Sequence, residues 1–511
     1  FDEGLYDPAN EPDIAYPYLF SRIPGEEWRT QREVARLLRE HYTTRPDGIP
    51  GNDDCGTMSA WAVFSMLGLY PDAPGEPFYT LTSPTFDHAK VTLPSGSLTV
   101  TAERDAPGAI YISEVTLDGK PLDSLRIAHS AITSKGHHKL HYKLVSRPID
   151  HVDPLIGTGD HGHVFVGANV PFGMVQLGPT SFPETWDWCS GYHQSDSTVI
   201  GFSHTHLSGT GIGDLFDVTI RPVTSRPAGY TRSDAVDMAL RHDEVARPGF
   251  YSVPLSSGIL AEMTASTRVG LSRYTFPDTV SQQRLVIDLA NGGCWDKVTE
   301  SGLEAKPDGT LTGWRRSSGW AKDQKVYFAI QFSRGGFSHE KVSDHHYLVS
   351  FPGNDAPLMV KVGISPVSVD GAVANLSEIP DWNFSRVRAE ATAAWEKELG
   401  KVKVEGGTPE DMRTFYTALY HTHFFPATFS DVNSDRPAYT IYSLWDTYRA
   451  EMPLLSILQP ERYPQMINSM LDIFDRQGRL PVWHLWGNET DCMVGNPGII
   501  PVADAVVKKI P

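Results

Sequence analysis

The sequence predicts a multidomain β + α chain: a large antiparallel β-sandwich, and a helical domain whose parts lie at either end of it. Three observations carry this. Residues 149–381 read as short strands separated by Gly, Pro, Asn and Asp turns, with no long helical pattern between them. Apolar residues recur with helical spacing before residue 70 and again after residue 408. Each helical stretch is too small to close a core alone, so the two read as pieces of one domain.

Bulk properties narrow the class. A chain of 511 residues is expected to form two or more domains. Its 40% hydrophobic and 21% charged content is ordinary for a globular protein. The net charge of −18, from 44 basic and 62 acidic residues, argues against a nucleic-acid partner. No apolar run reaches the roughly 18 residues of a membrane span, and the opening Phe-Asp-Glu-Gly-Leu-Tyr does not read as a signal peptide. The four cysteines, at 55, 189, 294 and 492, are too few for a disulfide framework and form no Cys-x-x-Cys pair.

Residues 1–79 hold the first helical piece. Asn10-Glu11-Pro12 offers two oxygen ligands on a stiff turn, although an ordinary turn needs no more than that. Val34, Leu37, Leu38 and His41/Tyr42 predict an amphipathic helix over 26–42. A loop follows, ending in Pro50-Gly51-Asn52-Asp53-Asp54-Cys55-Gly56, and then an apolar run from Met58 to Leu69. That run is apolar nearly all round and predicts a buried helix ending near Gly68. An Asp at such a junction ordinarily caps the helix. It can equally be aimed at water or a metal by the rigid element behind it.

Residues 80–148 alternate apolar and polar, with Asp118-Gly119 as a hairpin turn, and predict a small antiparallel β region. The sandwich follows over 149–381. Residues 382–404 read as a helical linker, with Val387, Ala391 and Ala394-Trp395 along one side. Residues 405–511 return to helical spacing. Thr408-Pro409-Glu410-Asp411 is a helix start, and Pro460 opens a helix with Tyr463, Met466, Ile467, Met470, Leu471 and Phe474 on one stripe.

The chemistry-bearing motifs cluster. Trp186 and Trp188 could floor a sugar site or sit in the sandwich core. On a strand His204 and His206 share a face, and with His161 and His163 they raise a zinc site. No closed ligand set is visible, so hydrogen-bonding histidines beside a polar cleft are the preferred reading. Trp483 and Trp486 beside Asn488, Glu489 and Asp491 supply stacking faces and bidentate oxygens, as a carbohydrate cleft requires.

Taken together these motifs resemble glycoside hydrolase family 92, the calcium-dependent exo-acting α-mannosidases. The resemblance covers almost the whole chain. It rests on 10–12 (NEP), 51–56 (GNDDCG) followed by 58–61 (MSAW), 153–159 (DPLIGTG), 170–177 (VPFGMVQL), 189–193 (CSGYH), 201–211 (GFSHTHLSGTG), 443–449 (SLWDTYR) and 487–493 (GNETDCM). The order departs from the family, where the sandwich comes first and NEP and GNDDCG lie near the C-terminus. A middle part of the helical domain is not found, so two readings stand: a permuted, shortened chain, or two segments of a longer protein. The second is favoured, because half a helical domain would expose too much apolar surface.

The resemblance implies an antiparallel β-sandwich packed on an (α/α)6-type helical toroid, here incomplete. It implies hydrolysis of terminal α-linked mannose, of α-1,2 or related linkage, from glycans or glycoproteins, with inversion. Inversion takes one carboxyl to protonate the leaving oxygen and another to activate water. Asp54 is the expected base, with Asp53 second. The family's acid, a Glu, belongs to the part not found, and without it the chain would at most bind mannosides. That non-catalytic binder is the alternative function; another exo-glycosidase on a toroid, such as a glucosidase, is a third. Calcium is the implied cofactor, with Asn10, Glu11, Asn52 and Asp54 as expected ligands. Glu11, Asn52, Trp188, His204, His206, Glu489 and Asp491 are expected to hold the sugar. A secreted, periplasmic or cell-surface location follows from the same resemblance.

Overall fold

The computed structural model describes residues 6–510 apart from 183, 184, 232, 233, 235, 294, 354 and 355. Cys294 therefore lies outside the described residues; Cys55 is exposed, and the Cys189 thiol donates to the Trp186 carbonyl at 2.8 Å. The chain divides into two compact units, Phe1–Asp150 with Lys403–Met412, and His151–Val402 with Arg413–Pro511.

The first unit opens with helices α1 (Tyr16–Leu19), α2 (Glu27–His41) and α3 (Thr57–Leu67). In α2 the predicted stripe is buried at Val34, Leu37 and Leu38. Trp61 of α3 stacks on Tyr42 at 5.4 Å and donates its indole N–H to the Ile14 carbonyl at 2.8 Å. The helix is less enclosed than its apolar sequence suggests. Met58, Trp61, Ala62 and Ser65 face inward, but Val63 is 58% exposed. Gly68 ends α3 at φ 84, where a Cβ would meet the Thr82 carbonyl oxygen at 2.9 Å.

Eight strands follow: β1 (Leu69–Tyr70), β2 (Phe78–Leu81), β3 (His88–Leu93), β4 (Gly96–Arg104), β5 (Tyr111–Leu117), β6 (Lys120–Pro121), β7 (Arg126–Ala128) and β8 (Gly136–Val145). They form sheets of order β1-β2-β7 and β3-β4-β8-β5-β6. Asp118 and Gly119, at φ 50 and 78, make the predicted turn between β5 and β6. The region is not purely antiparallel, because β4 and β8 pair in parallel from Gly96↔Gly136 to Arg104↔Leu144. Parallel pairing needs a crossover, and the chain from β5 to the short helix α4 (His129–Thr133) is long enough to make it.

The second unit is built on β9 (Gly178–Thr180), β10 (Thr198–Val199), β11 (Gly201–Ser203), β12 (Thr219–Val223), β13 (Asp237–Met238), β14 (Val245–Arg247), β15 (Phe250–Pro254) and β16 (Leu260–Ala265). It continues with β17 (Val269–Thr275), β18 (Gln282–Asp288), β19 (Lys297–Ala305), β20 (Leu311–Ser318), β21 (Gln324–Phe332), β22 (Ser338–Ser343), β23 (His346–Pro352) and β24 (Leu358–Ser365). One sheet runs β22-β23-β18-β12-β11-β9 and the other β14-β15-β16-β17-β24-β21-β20-β19. Every neighbouring pair in both is antiparallel. Leu285, Ile287 and Val349 of the first sheet and Ala261, Val326 and Val362 of the second belong to one apolar core, as two stacked antiparallel sheets require.

A short helix absent from the sequence reading, α5 (Val369–Asn375), follows β24. Its start is set by Ser368, whose hydroxyl accepts the Gly371 N–H at 3.0 Å. The expected linker helix is α6 (Phe384–Leu399), but it is not a free connector. Val387, Ala391 and Trp395 are buried, and the Trp395 indole donates to the Asn169 carbonyl at 2.8 Å. Helices α7 (Pro409–His421), α8 (Leu444–Thr447), α9 (Glu451–Leu458), α10 (Tyr463–Gln477) and α11 (Ile499–Val507) follow. Pro464 rather than Pro460 occupies the first turn of α10. Leu455, Met466, Met470 and Ala505 bring α9, α10 and α11 into a second core.

Candidate active site

In the first unit the acidic loop is held by backbone conformations that favour glycine. Gly51, Asp54, Cys55 and Gly56 all have positive φ (61, 46, 58 and 94). Two adjacent non-glycine residues in this region mark local strain of the kind found where a side chain is aimed. Asp53 is committed to α3: one carboxylate oxygen accepts the Ser59 N–H at 2.9 Å and the Ser59 hydroxyl at 2.7 Å. That satisfies a donor which the first turn of a helix leaves unpaired.

Asp54 faces Glu11 instead. The hydrogen bond between the two carboxyls, helped by burial and by the Glu11 and Asp53 charges, holds Asp54 above the usual carboxylate range. Glu11 is held below it, by its own backbone N–H and by Asp54. Two acids in contact cannot both carry a charge cheaply, so a proton or a cation between them is favoured. Asn10, Glu11, Asn52 and Asp54 are all exposed and all offer oxygen. That donor set fits a hard cation such as calcium in kind.

In the second unit the tryptophan pair divides. Trp188 is buried, donates its indole N–H to Asp196 at 2.7 Å, and stacks on His193 at 4.7 Å. Trp186 is 52% exposed, and its N–H reaches the Gly211 carbonyl at 2.8 Å. Beside it, His161 and His163 meet one oxygen of Asp187 at 2.6 and 3.2 Å. Gly162 permits this, since a Cβ there would lie 2.2 Å from the Gly157 carbonyl oxygen.

The loop after the strand Trp483–Leu485, which pairs with the strand Tyr442–Ser443, closes on Glu489. Its two carboxylate oxygens accept the N–H groups of Val482 at 2.8 Å, Trp483 at 3.0 Å and Asp491 at 3.2 Å. Asp491, at φ 56, is exposed and pairs with Arg479.

Sequence comparison decides the family. The model of the glycosyl hydrolase family 92 N-terminal domain matches residues 151–365. The family 92 catalytic-domain model matches residues 1–145 and 371–511. The chain belongs to glycosyl hydrolase family 92.

Among relatives of this family 92 chain, a protein described as an uncharacterized secreted glycosidase of Arthroderma benhamiae is 27% identical over 405 residues, 70% of this chain and 49% of its own. A solved family GH92 alpha-mannosidase of Bacteroides thetaiotaomicron is 33% identical with a TM-score of 0.67, over 72% of this chain and 55% of its own. A second structure from that species, titled a family GH92 inverting mannosidase, is 25% identical with a TM-score of 0.64, over 71% and 53%. The chain thus spans about half the length of the relatives it matches.

Within this family 92 chain two of the expected sugar-holding residues need correction. His204 and His206 do not border a cleft; both are wholly enclosed in the second unit. His204 Nδ1 bonds the Val218 carbonyl at 2.7 Å, and His206 Nδ1 bonds the Gln176 carbonyl at 2.8 Å. Burial pushes their pKa values down to about 4 and about 3, so both are neutral. The strand that would have given them a common face ends at Ser203, before either histidine. Sequence reasoning missed Asp187, which joins His161 to His163 from 24 residues away. Its signal was its place between the two tryptophans.

Proposed function

We propose that this protein acts as an exo-α-mannosidase, releasing terminal α-linked mannose from glycans or glycoproteins with inversion. Family membership supports the glycosidase class, and two structural neighbours described as mannosidases support mannose as the sugar. The observation that carries the residue roles is the Glu11–Asp54 carboxyl pair on a strained loop.

In this reading Asp54 is the base. Its carboxylate takes a proton from water as the water oxygen attacks the anomeric carbon from the face opposite the leaving group, while the glycosidic bond breaks and its oxygen takes a proton from a general acid, the Glu that the family resemblance places in the part of the helical domain not found here. Its titration, held high by Glu11, gives it more proton affinity than an ordinary aspartate. Asp53 orients the loop through Ser59 and is not the base. Asn10, Glu11, Asn52 and Asp54 would hold calcium, which when bound supplies a hard positive charge for two neighbouring sugar hydroxyls. Asp491 is the sugar-holding residue of the second unit; Glu489 serves it by fixing the backbone. Trp188 acts from beneath, through His193, and Trp186 offers the exposed ring face.

Among the described residues no helix is long and apolar enough to cross a membrane. A relative described as a secreted glycosidase supports a secreted enzyme. The test is release of mannose from an α-linked mannobiose, followed by NMR. β-Mannose appearing first, abolished by EDTA and restored by Ca2+, is the expected result. No release with Ca2+ present, despite saturable mannoside binding, would instead establish the non-catalytic binder.

A further inference from the structure

The His161–Asp187–His163 cluster lies apart in sequence from the acidic loop and has different chemistry. His163 is buried, and its Nδ1 lies 2.8 Å from the Thr210 carbonyl oxygen. A carbonyl has no proton to give, so Nδ1 carries the hydrogen. On a neutral ring Nε2 is then a bare lone pair. It faces Asp187 Oδ1 at 3.2 Å, a second acceptor. Two lone pairs do not hold that separation unaided; something positive belongs between them. The same Asp187 oxygen is 2.6 Å from His161 Nδ1.

The surroundings are fixed. The His163 carbonyl accepts the Gly209 N–H at 2.8 Å, and the Thr185 hydroxyl accepts the Asp187 N–H at 3.3 Å. The Trp186 ring meets the His163 ring edge-on at 4.3 Å and the His161 ring at 5.4 Å. Three loops thus bring two imidazole nitrogens and one carboxylate oxygen within 4.8 Å of one another.

We propose that His161, His163 and Asp187 form a three-ligand site for a borderline transition-metal ion of the Zn2+ class. Two nitrogens and one oxygen suit such an ion and not calcium, which takes six to eight oxygens. Tetrahedral ligands at about 2.0–2.1 Å stand about 3.3 Å apart. His163 and Asp187 already do, and His161, which is exposed, has room to adjust its ring. The Thr210 carbonyl plays the part of the outer partner that fixes the tautomer of a ligating histidine. With three protein ligands, the fourth position is open to water or a hydroxyl on the exposed side. The site stands independently of the mannosidase reading, because its occupancy is read by binding and not by turnover.

The experiment uses the full chain, stripped with chelator, dialysed and titrated with Zn2+ by calorimetry and with Co2+ by visible absorption. One equivalent of Zn2+ is expected, and Co2+ is expected to give the intense bands of a four-coordinate ion. The double variant His161→Ala/Asp187→Asn is expected to weaken Zn2+ binding by more than about tenfold. His242→Ala is the control, an exposed histidine beside Asp243 with no third ligand, and should change nothing. His161→Ala alone removes only an exposed ring, so a loss there is not a folding failure. Absence of a stoichiometric Zn2+ site, or unchanged affinity in the double variant, would overturn the proposal and leave His163 as a hydrogen-bonded link between Thr210 and Asp187.

Discussion

Asp53 grips Ser59 through both its backbone N–H, at 2.9 Å, and its hydroxyl, at 2.7 Å, and this separates two neighbouring acids that the sequence could not tell apart. Asp53 ties the start of α3, while Asp54 faces Glu11. Asp53→Ala should therefore cost about 1 kcal/mol of stability, as loss of a helix cap does. Asp54→Asn should leave stability unchanged and lower kcat by about 10²–10⁴-fold, the share of a general base. Urea unfolding and steady-state kinetics on both variants check this. A larger kcat loss in Asp53→Ala would exchange the two roles.

Histidines that burial holds neutral make the second unit sensitive to acid. His204, His421 and His484 are pushed by burial to about 4, and His206 to about 3. Their pKa values are lower folded than unfolded, so the unfolded chain binds the extra protons. Stability from these groups is full above about pH 6.5 and is lost as the pH falls toward 4. Near pH 5 each contributes a slope of about 1.4 kcal/mol per pH unit. His206→Asn, which keeps a donor near the Gln176 carbonyl, should be less stable at pH 7 but show a shallower acid slope. Chemical denaturation between pH 4.5 and 7.5 measures both.

Much of this was legible in the sequence because it is local. The stripe Val34, Leu37, Leu38 gives α2, and Asp118-Gly119 gives its turn, since both depend on neighbours in the chain. What was missed depends on distant partners. Nothing in Leu98, Val100, Leu140 and Tyr142 says that β4 and β8 run parallel, because strand direction is set by the crossover. Alternation would give His204 and His206 a common face, but the strand ends at Ser203, before either histidine. The two carboxyls of Glu11 and Asp54 were picked as one site by resemblance, and their contact is set by folding over 43 residues. Short α5 escaped because seven residues carry too little periodicity.

Glu489 and Asp491 should answer to different measurements. Glu489 accepts three backbone N–H groups, and a glutamine there turns an amide N–H toward at least one of them. Glu489→Gln should cost about 1.5–3 kcal/mol, the worth of hydrogen bonds to a charged group. Asp491→Ala removes an exposed carboxylate and its Arg479 partner, so stability should hardly change. If Asp491 holds the sugar, its KM should rise about tenfold, or about 1.4 kcal/mol. An unchanged KM would remove it from the site.

Arg315 anchors a buried charge network in the second unit. It is completely buried and bonds Asp217 at 2.6 Å, Ser317 at 3.0 Å and the Leu289 carbonyl at 3.0 Å, with Asp296 on its other arm. Asp214 lies in the same acidic pocket, pushed up to about 7 by burial and by the Asp296 charge. Removing the cation leaves Asp217 and Asp296 uncompensated, which costs about 3–5 kcal/mol. Arg315→Met should therefore unfold at markedly lower urea. Asp217 titrates high in the fold because of burial, even beside Arg315, and without the arginine it would titrate higher still. A carboxyl raised in the folded state stabilises below its unfolded pKa and loses that stability as the pH rises through the folded one. The gap between Arg315→Met and the parent should thus widen from pH 5 to pH 8, and adding Asp217→Asn should recover part of it at pH 8. A gap that does not change with pH would mean that Arg315 acts by packing and not by charge.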